Sequence, residues 1–286
     1  MTIMPTISVV VPCYNGGKFL DQLTATLARQ TFRDFEVVIV NDGSTDLATL
    51  EKLSTLDPTI RVVHQENRGL SAARNAGISV ARADLVMALD CDDQLEPSYL
   101  ADTLAALQAA GPEAGFAFTN VRLTGAGHGV QERYSNAFDI LFKNIIGYSM
   151  LMHKAAWLKA GGYDESMLDG YEDWEFNLRL VHSGYPGVAV PKPLFLYTAS
   201  TQGMLLGHTS HRHAAVWRRI RQKHRDLYRV SSLLQLYGRT GFRRSRLSLV
   251  RLIAQLALAK LVSDAWHNRI MTFVRRSRMS IAQNAQ

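Results

Sequence analysis

Hydrophobic residues occur in short continuous runs along the first third of the chain, and helical patterns separate these runs. The runs predict buried strands at residues 7–12, 36–40, 60–63 and 83–89. Strands that are apolar throughout and alternate with helices are typical of a parallel sheet covered on both faces. The sequence therefore predicts an α/β protein.

The pattern becomes less regular after residue 95 and turns mainly helical from about residue 214, with a break near 238–241. Between these points the pattern predicts a helix at 97–110, a strand at 114–119, a variable loop at 122–145, a strand at 150–153 and a helix at 172–183.

Three of the predicted strands run directly into polar turns. These turns are Cys13-Tyr14-Asn15-Gly16-Gly17, Asn41-Asp42-Gly43-Ser44 and Asp90-Cys91-Asp92-Asp93. The carboxyl ends of parallel strands meet at one edge of a sheet, and open α/β sheets bind their ligands there. We therefore expect a ligand site where the three turns come together.

The third turn places three carboxylates within four positions, at Asp90, Asp92 and Asp93. Carboxylates this close repel one another unless a positive charge lies between them. A hard divalent cation such as Mg²⁺ or Mn²⁺ prefers oxygen ligands, so Cys91 is interpreted as a small spacer and not as a ligand. The alternative is a solvated turn at the end of a strand.

Five motifs, in this order, resemble the family 2 glycosyltransferases over about residues 6–200. The motifs are Ser8-Val9-Val10-Val11-Pro12-Cys13-Tyr14-Asn15, Val40-Asn41-Asp42-Gly43-Ser44-Thr45-Asp46, Arg68-Gly69 with Ala73-Arg74-Asn75-Ala76-Gly77, the DxD-like Asp90-Cys91-Asp92-Asp93, and Gly161-Gly162-Tyr163-Asp164-Glu165 with Tyr171-Glu172-Asp173-Trp174-Glu175. The resemblance implies the GT-A fold, a Rossmann-like, mixed and mostly parallel sheet flanked by helices. To this the sequence adds a basic helical C-terminal extension.

The resemblance implies a metal-dependent, inverting enzyme that uses Mg²⁺ or Mn²⁺. Such an enzyme moves one sugar from a nucleotide-diphospho-sugar, here expected to be a UDP-sugar, to a hydroxyl of a saccharide or lipid-linked acceptor in surface polysaccharide or glycan synthesis. The QxxRW motif of processive synthases is absent around Trp217, which favours transfer of a single sugar. Two alternatives stay open: a sugar-nucleotide-binding protein without turnover, and a nucleotidyltransferase.

On the donor side the resemblance implies roles for residues in the first four motifs. Nucleotide binding is expected at Pro12, Tyr14, Asn15, Asp42, Arg74 and Asp92, and metal binding at Asp92 and Asp93. Each assignment has a structural alternative: Asp42 as a helix cap, Tyr14 as a core residue and Arg74 as a surface residue.

On the acceptor side the resemblance makes Asp173 the catalytic base, with Glu172 beside it and Trp174 contacting the acceptor. Acids are also common in first helical turns for purely structural reasons. His208 and His211 follow the last strand of the resemblance and are expected in a lid that closes over the diphosphate. The alternative for these histidines is a solvated polar loop.

Charge divides the chain into two unequal parts. Residues 1–200 carry a net charge of −8 and are expected to form the catalytic domain, with a nucleotide-binding half at about 1–95 and an acceptor half at about 96–200. Residues 201–286 carry 17 basic and two acidic residues and are expected to form the lid and a basic helical region. Such a region can meet an anionic membrane surface, the acidic body of the same protein or, less in keeping with the sequence, nucleic acid.

Cysteine content and hydropathy indicate the cellular compartment of the protein. The chain has only two cysteines, Cys13 and Cys91, which excludes a disulfide framework. No secretory leader is recognisable, and the longest apolar stretch, 247–262, is interrupted by charged residues. We therefore expect a cytoplasmic protein, held peripherally on the inner face of the membrane by the amphipathic basic tail.

Overall fold

The computed structural model describes residues 4–199, 208–241 and 256–257, with side chains left out at 208–211 and 240–241. The strands are β1 Ile7–Cys13, β2 Phe35–Asp42, β3 Ile60–Gln65, β4 Leu85–Ala88, β5 Gln94–Leu95, β6 Phe116–Gly125, β7 Val130–Gln131, β8 Leu151–His153 and β9 Gly187–Ala199. The helices are α1 Leu20–Ala28, α2 Leu47–Ser54, α3 Leu70–Val80, α4 Tyr99–Ala110, α5 Lys154–Ala160, α6 Glu172–His182, α7 His208–Lys223 and α8 Val230–Leu236.

The strands of these described ranges form one mixed sheet in the order β3-β2-β1-β4-β8-β6-β9-β5, with β7 paired to β6. β1, β2, β3 and β4 pair in parallel. β8 then joins β4 and β6 in antiparallel fashion, and β9 runs parallel to β6. The predicted α/β class is confirmed, and the first four strands pair in parallel as expected.

Alternate residues of β1 enter two separate hydrophobic cores, one on each face of the sheet. Val9 belongs to the core that contains α1 and α4, while Val10 belongs to the core that contains α3 and α6. Helix α3 lies so close to the sheet that a Cβ atom on Gly77 would be 2.3 Å from Cγ1 of Val10. Gly77, the last residue of the third motif, is therefore required by packing.

The segment predicted as a variable loop at 122–145 is more ordered than the sequence indicated. β6 continues to Gly125, and residues Phe138, Ile140 and Leu141 are buried in the core. The prediction was wrong here because β9 pairs along the whole length of β6. That partner lies more than 60 residues away in sequence, so the local pattern does not reveal it.

Helix α7 begins six residues before the predicted start at 214 and packs against the α/β body of the protein. Trp217 is fully buried in the same core as α6. Lys223 forms an ion pair with Asp164, and His224 is hydrogen-bonded to Glu175 at 2.8 Å. For this first part of the basic region, the alternative of packing against the acidic body is confirmed.

Most of the basic tail, at 242–255 and 258–286, lies outside the described residues. In the part of the chain that is described, no helix combines the length and the apolar character needed to cross a membrane.

Candidate active site

The loops after β1 and β2 are tied together at the carboxyl edge of the sheet. Asn15 has a left-handed backbone with φ of 49°. Its side-chain oxygen accepts hydrogen bonds from the N–H groups of Thr45 at 2.8 Å and Asp46 at 3.0 Å. Pro12 is buried next to Val40 of β2. The structure thus places Asn15 and Pro12 where they shape this edge, and their contact with a nucleotide stays a prediction.

Tyr14 lies exposed between these loops, with 52% of its surface accessible. The alternative that made it a core residue is therefore wrong. An aromatic ring with an open face offers a surface on which a nucleotide base can stack.

Asp42 is buried at the end of β2 and binds the turn that leads into α3. Its two carboxylate oxygens accept hydrogen bonds from the N–H groups of Arg68 at 2.9 Å and Gly69 at 2.8 Å. Helix α2 is capped instead by Asp46, which accepts a hydrogen bond from the N–H of Thr49. The cap alternative for Asp42 at α2 is therefore wrong, and the carboxylate fixes the position of the third motif relative to the second.

The acidic turn after β4 is held in place by Asp93, the last of its three carboxylates. Asp93 is only 2% exposed. It accepts hydrogen bonds from the hydroxyl of Tyr148 and from the N–H of Thr198, the latter at 2.8 Å. Burial, and then the neighbouring charge of Asp90, raise the pKa of Asp93 well above its usual value. An added positive charge would stabilise this turn.

Asp92 is half-buried and forms no ion pair with any described residue. Burial, and then repulsion from Asp90, raise the pKa of Asp92, while the ammonium group of Lys18 acts in the opposite direction. Within the described ranges, no group of three or more histidine, cysteine or carboxylate side chains is arranged to hold a metal alone. Mg²⁺ typically takes one or two protein carboxylates and completes its shell with phosphate oxygens and water. The half-buried carboxylate of Asp92 fits that kind of site, whereas both oxygens of Asp93 already accept hydrogen bonds, and metal binding at the two residues stays a prediction.

Arg74 joins the acidic turn to the beginning of α6. Its guanidinium donates to both carboxylate oxygens of Asp90, at 2.9 and 3.0 Å, and to Oε1 of Glu172 at 2.9 Å. The same group lies over the rings of Tyr148 and Tyr163, at 4.7 and 5.4 Å from their centroids. Arg74 is 1% exposed, so the surface alternative is wrong. The side chain faces the acidic cluster as expected, and a direct contact with the nucleotide stays a prediction.

Two adjacent carboxylates begin α6, and both have raised pKa values. Burial raises the pKa of Glu172 to about 7, with Arg74 opposing the shift and Asp173 adding to it. Burial also raises the pKa of Asp173. Asp173 accepts hydrogen bonds from the side-chain amide of Asn144 at 2.6 Å and from the N–H of Trp174 at 2.7 Å. A half-buried carboxylate with a raised pKa is suited to accepting a proton.

A stack of three aromatic rings packs against the beginning of α6. His213 of α7 lies between Trp174 and Trp217, with centroid distances of 6.3 and 6.1 Å and interplanar angles of 11° and 14°. Its Nδ1 shares a hydrogen bond of 2.9 Å with the hydroxyl of Tyr171. Trp174 is 2% exposed, so contact with an acceptor would require its ring to be uncovered. His213 itself is 4% exposed and belongs to the core of the protein.

The predicted lid is only partly visible. The backbone of His208 and His211 forms the first turn of α7, and the side chains of both residues lie outside the described part of the chain. The preceding segment, 200–207, also lies outside it.

Two residues of this site were not predicted from the sequence: Tyr148, which binds Asp93, and Asn144, which binds Asp173. Both lie between α4 and β8, close to the end of the segment that was predicted as a loop. The available signal was weak, because the mostly apolar stretch from Phe138 to Met150 also contains Asp139, Lys143 and Ser149. Polar side chains in such a stretch are buried only when they have partners.

The amino-acid sequence of the chain is similar to those of several glycosyltransferases. It is 43% identical over 97 residues to the glycosyltransferase GlyG of Streptococcus pneumoniae serotype 4, a match covering 33% of this chain and 32% of GlyG. It is 28% identical over 189 residues to a chondroitin synthase of Escherichia coli, covering 63% of this chain and 27% of that protein. The chain thus matches about a third or less of the length of these relatives.

Two solved structures share the fold. TarS of S. aureus in complex with UDP-GlcNAc superimposes with a TM-score of 0.63 at 21% identity, covering 75% of this chain and 65% of TarS. The mannosyltransferase PcManGT of Pyrobaculum calidifontis, in complex with GDP-Man and Mn²⁺, gives a TM-score of 0.57 at 18% identity, covering 97% and 81%. At these identities the likeness confirms the mixed α/β fold expected from the resemblance.

The family model described as glycosyl transferase family 2 matches residues 8–163. This range includes the polar turns after β1, β2 and β4 and the whole of α3, which hold the candidate donor-side residues. Because the match covers more than half of the chain, the protein belongs to glycosyltransferase family 2.

Proposed function

We propose that this glycosyltransferase moves one sugar from a nucleotide-diphospho-sugar, a UDP-sugar in the first instance, to a hydroxyl of a saccharide or lipid-linked acceptor, with inversion at the anomeric carbon. The observation that carries the proposal is the position of Arg74, which binds Asp90 on the donor side and Glu172 on the acceptor side. This pairing brings the two acidic motifs together at one edge of the sheet.

On the acceptor side, Asp173 is the proposed catalytic base. Its carboxylate is held by Asn144 and by the N–H of Trp174. It receives the proton of the acceptor hydroxyl as that oxygen attacks the anomeric carbon, from the face opposite the departing diphosphate. Holding both reactants in this geometry lowers the entropic part of the barrier. Glu172 keeps Arg74 in place beside the base.

On the donor side, the proposed nucleotide site is formed by Tyr14, Asn15 and Asp42 with the neighbouring Pro12 and Arg74. The exposed ring of Tyr14 supports a stacking role. The two carboxylates of the acidic turn, Asp92 and Asp93, are the proposed ligands of a divalent cation. A bound Mg²⁺ or Mn²⁺ would stabilise the negative charge of the leaving diphosphate.

The proposal is tested by measuring nucleoside diphosphate release with UDP- and GDP-sugars, with Mn²⁺, Mg²⁺ or EDTA, in the presence of candidate saccharide acceptors. Asp173→Asn should reduce kcat roughly 100-fold or more, the scale of general base catalysis. Calorimetry should show nearly unchanged nucleotide affinity, because Asp173 serves the acceptor side.

The matched control is Asp84→Asn, which makes the same chemical change in an exposed residue just before β4, at the opposite end of that strand from the acidic turn. This variant should keep the activity of the wild-type protein. Loss of nucleotide binding together with activity in Asp173→Asn would contradict the assignment of the base. Full activity of the wild-type protein in EDTA would contradict the proposed requirement for a divalent cation.

A further inference from the structure

Arg133 is a half-buried cation beside the proposed catalytic base. Its backbone N–H is held by the side-chain oxygen of Asn120 at 2.9 Å. Its guanidinium donates to the carbonyl oxygen of Asn144 at 3.2 Å and to the side-chain oxygen of Gln131 at 2.8 Å. The amide nitrogen of the same Asn144 holds the carboxylate of Asp173 at 2.6 Å. One residue therefore positions both the base and the cation.

The charge of Arg133 is not neutralised by a carboxylate at contact distance. Arg74 and Arg179 hold carboxylates at 2.9 and 2.7 Å, whereas Arg133 forms no ion pair with any described residue. Both oxygens that its guanidinium binds, those of Gln131 and Asn144, are neutral, and its Nε is buried without a hydrogen-bond partner in the described part of the chain. Burial lowers the pKa of Arg133, and only the more distant Asp173 acts against that shift.

A guanidinium in such a position binds oxyanions well, because its planar fork matches carboxylate and phosphate groups. Three of its five N–H donors have no hydrogen-bond partner among the described residues. An acceptor with its reactive hydroxyl at Asp173 would bring its next substituents, or its neighbouring sugar unit, to this side chain.

We propose that Arg133 binds an oxyanion on the acceptor, a carboxylate or a phosphate, and thereby selects an anionic saccharide as the acceptor. This inference rests on the proposed function, since it takes Asp173 as the acceptor-side base. It adds the chemical class of the acceptor, which the fold does not define.

The test uses an array of immobilised oligosaccharides printed in pairs that differ in one group. One set of pairs ends in glucuronate or glucose, and a second set carries or lacks a single phosphate. Binding of the full-length protein is measured with UDP and Mn²⁺ present. Wild-type protein should prefer the anionic member of the pairs in one of the two sets by about 10- to 100-fold, the range expected for hydrogen bonds to a charged group. The set that shows the preference distinguishes a carboxylate from a phosphate.

Arg133→Met, which keeps an apolar stem of similar length, and Arg133→Gln should both abolish the preference while still binding the neutral members. Arg133→Lys should keep it at a smaller ratio, because the charge stays and the fork is lost. The matched control is Arg122→Gln, since Arg122 is an exposed arginine on β6, where it pairs with Val130 of β7. This control should behave as the wild-type protein.

The inference is overturned if wild-type protein binds both members of each pair equally, binds no member, or keeps its preference in Arg133→Met and Arg133→Gln. Binding to the array requires no turnover. If sugar transfer fails with every donor while the preference depends on Arg133, the proposed function is wrong and the anion site remains.

Discussion

Replacing Arg74 by methionine should destabilise the fold strongly, and the structure indicates how much. Arg74 is 1% exposed and binds the buried carboxylate of Glu172 and the partly exposed carboxylate of Asp90. Methionine keeps an unbranched stem against Tyr148 and Tyr163 and removes only the charge and its hydrogen bonds. Breaking a buried ion pair by removing one partner costs about 3–5 kcal/mol, because the other charge is left uncompensated. For a chain of this size, that corresponds to a fall in Tm of roughly 6–20 °C.

The cost should depend on pH in a defined direction. The pKa of Glu172 is raised to about 7 even with Arg74 present, and removing the cation raises it further. A carboxylate with a folded-state pKa above its unfolded value of 4.5 reduces stability when it ionises. That penalty is absent below about pH 4.5 and grows as the pH rises towards the folded-state pKa. Arg74→Met should therefore lose less stability at pH 5 than at pH 8.

The assay is urea unfolding at both pH values, followed by fluorescence, for the wild-type protein, Arg74→Met, Glu172→Gln and the double variant. Glu172→Gln should change the stability of the wild-type protein little, because Arg74 keeps Asp90 as a partner, and should restore stability in the Arg74→Met background, because it removes the unpaired charge. We expect a coupling free energy of about 1–3 kcal/mol between the two sites. A loss below about 1 kcal/mol, or equal losses at both pH values with no rescue, would refute the view that Arg74 mainly neutralises buried acids.

Two further predictions concern the pH profile and the tail. Asp173 acts as a base only when ionised, so kcat/KM should rise with pH. Glu172→Gln should move this rise to lower pH, because it removes a neighbouring negative charge. An unchanged pH profile in the variant would contradict the coupling of the two carboxylates. We also propose that the tail beyond Tyr237, with ten basic residues and one acid, binds anionic membranes at about 1 kcal/mol per basic residue near the surface. The full chain should co-sediment with anionic but not neutral vesicles, and a chain ending at Tyr237 should not; equal binding by both would remove this role.

The convergence of the three polar turns could be predicted from the sequence because its information is local. Each of β1, β2 and β4 is a buried apolar run that ends in a polar turn, and parallel pairing brings the three ends together. Turn chemistry of this kind depends on neighbours in sequence. The exposed position of Tyr14 and the burial of Asp42 were the details left open, since each depends on how the loops pack.

The partners of Glu172 and Asp93 could not be predicted, because they are distant in sequence. Arg74 and Glu172 are 98 positions apart, and Tyr148 and Asp93 are 55 apart. Their pairing follows from the antiparallel insertion of β8 beside β4, which the alternation of strands and helices does not encode. The hydrophobic pattern defines which faces are buried, and buried polar groups then take whichever partner the topology brings near.

The family match ends at residue 163, and the proposed base Asp173 lies beyond it, together with helix α7. Tyr171 has a left-handed backbone with φ of 61°, which is costly for a residue with a side chain. Its hydroxyl is held by His213, and the ring of His213 is packed between Trp174 and Trp217. Helix α7 therefore contributes to the geometry in which Glu172 and Asp173 are presented, although the charge pattern alone indicated a separate basic region. It follows that α6 and α7, which lie beyond the family match, help to define the acceptor side of the proposed site.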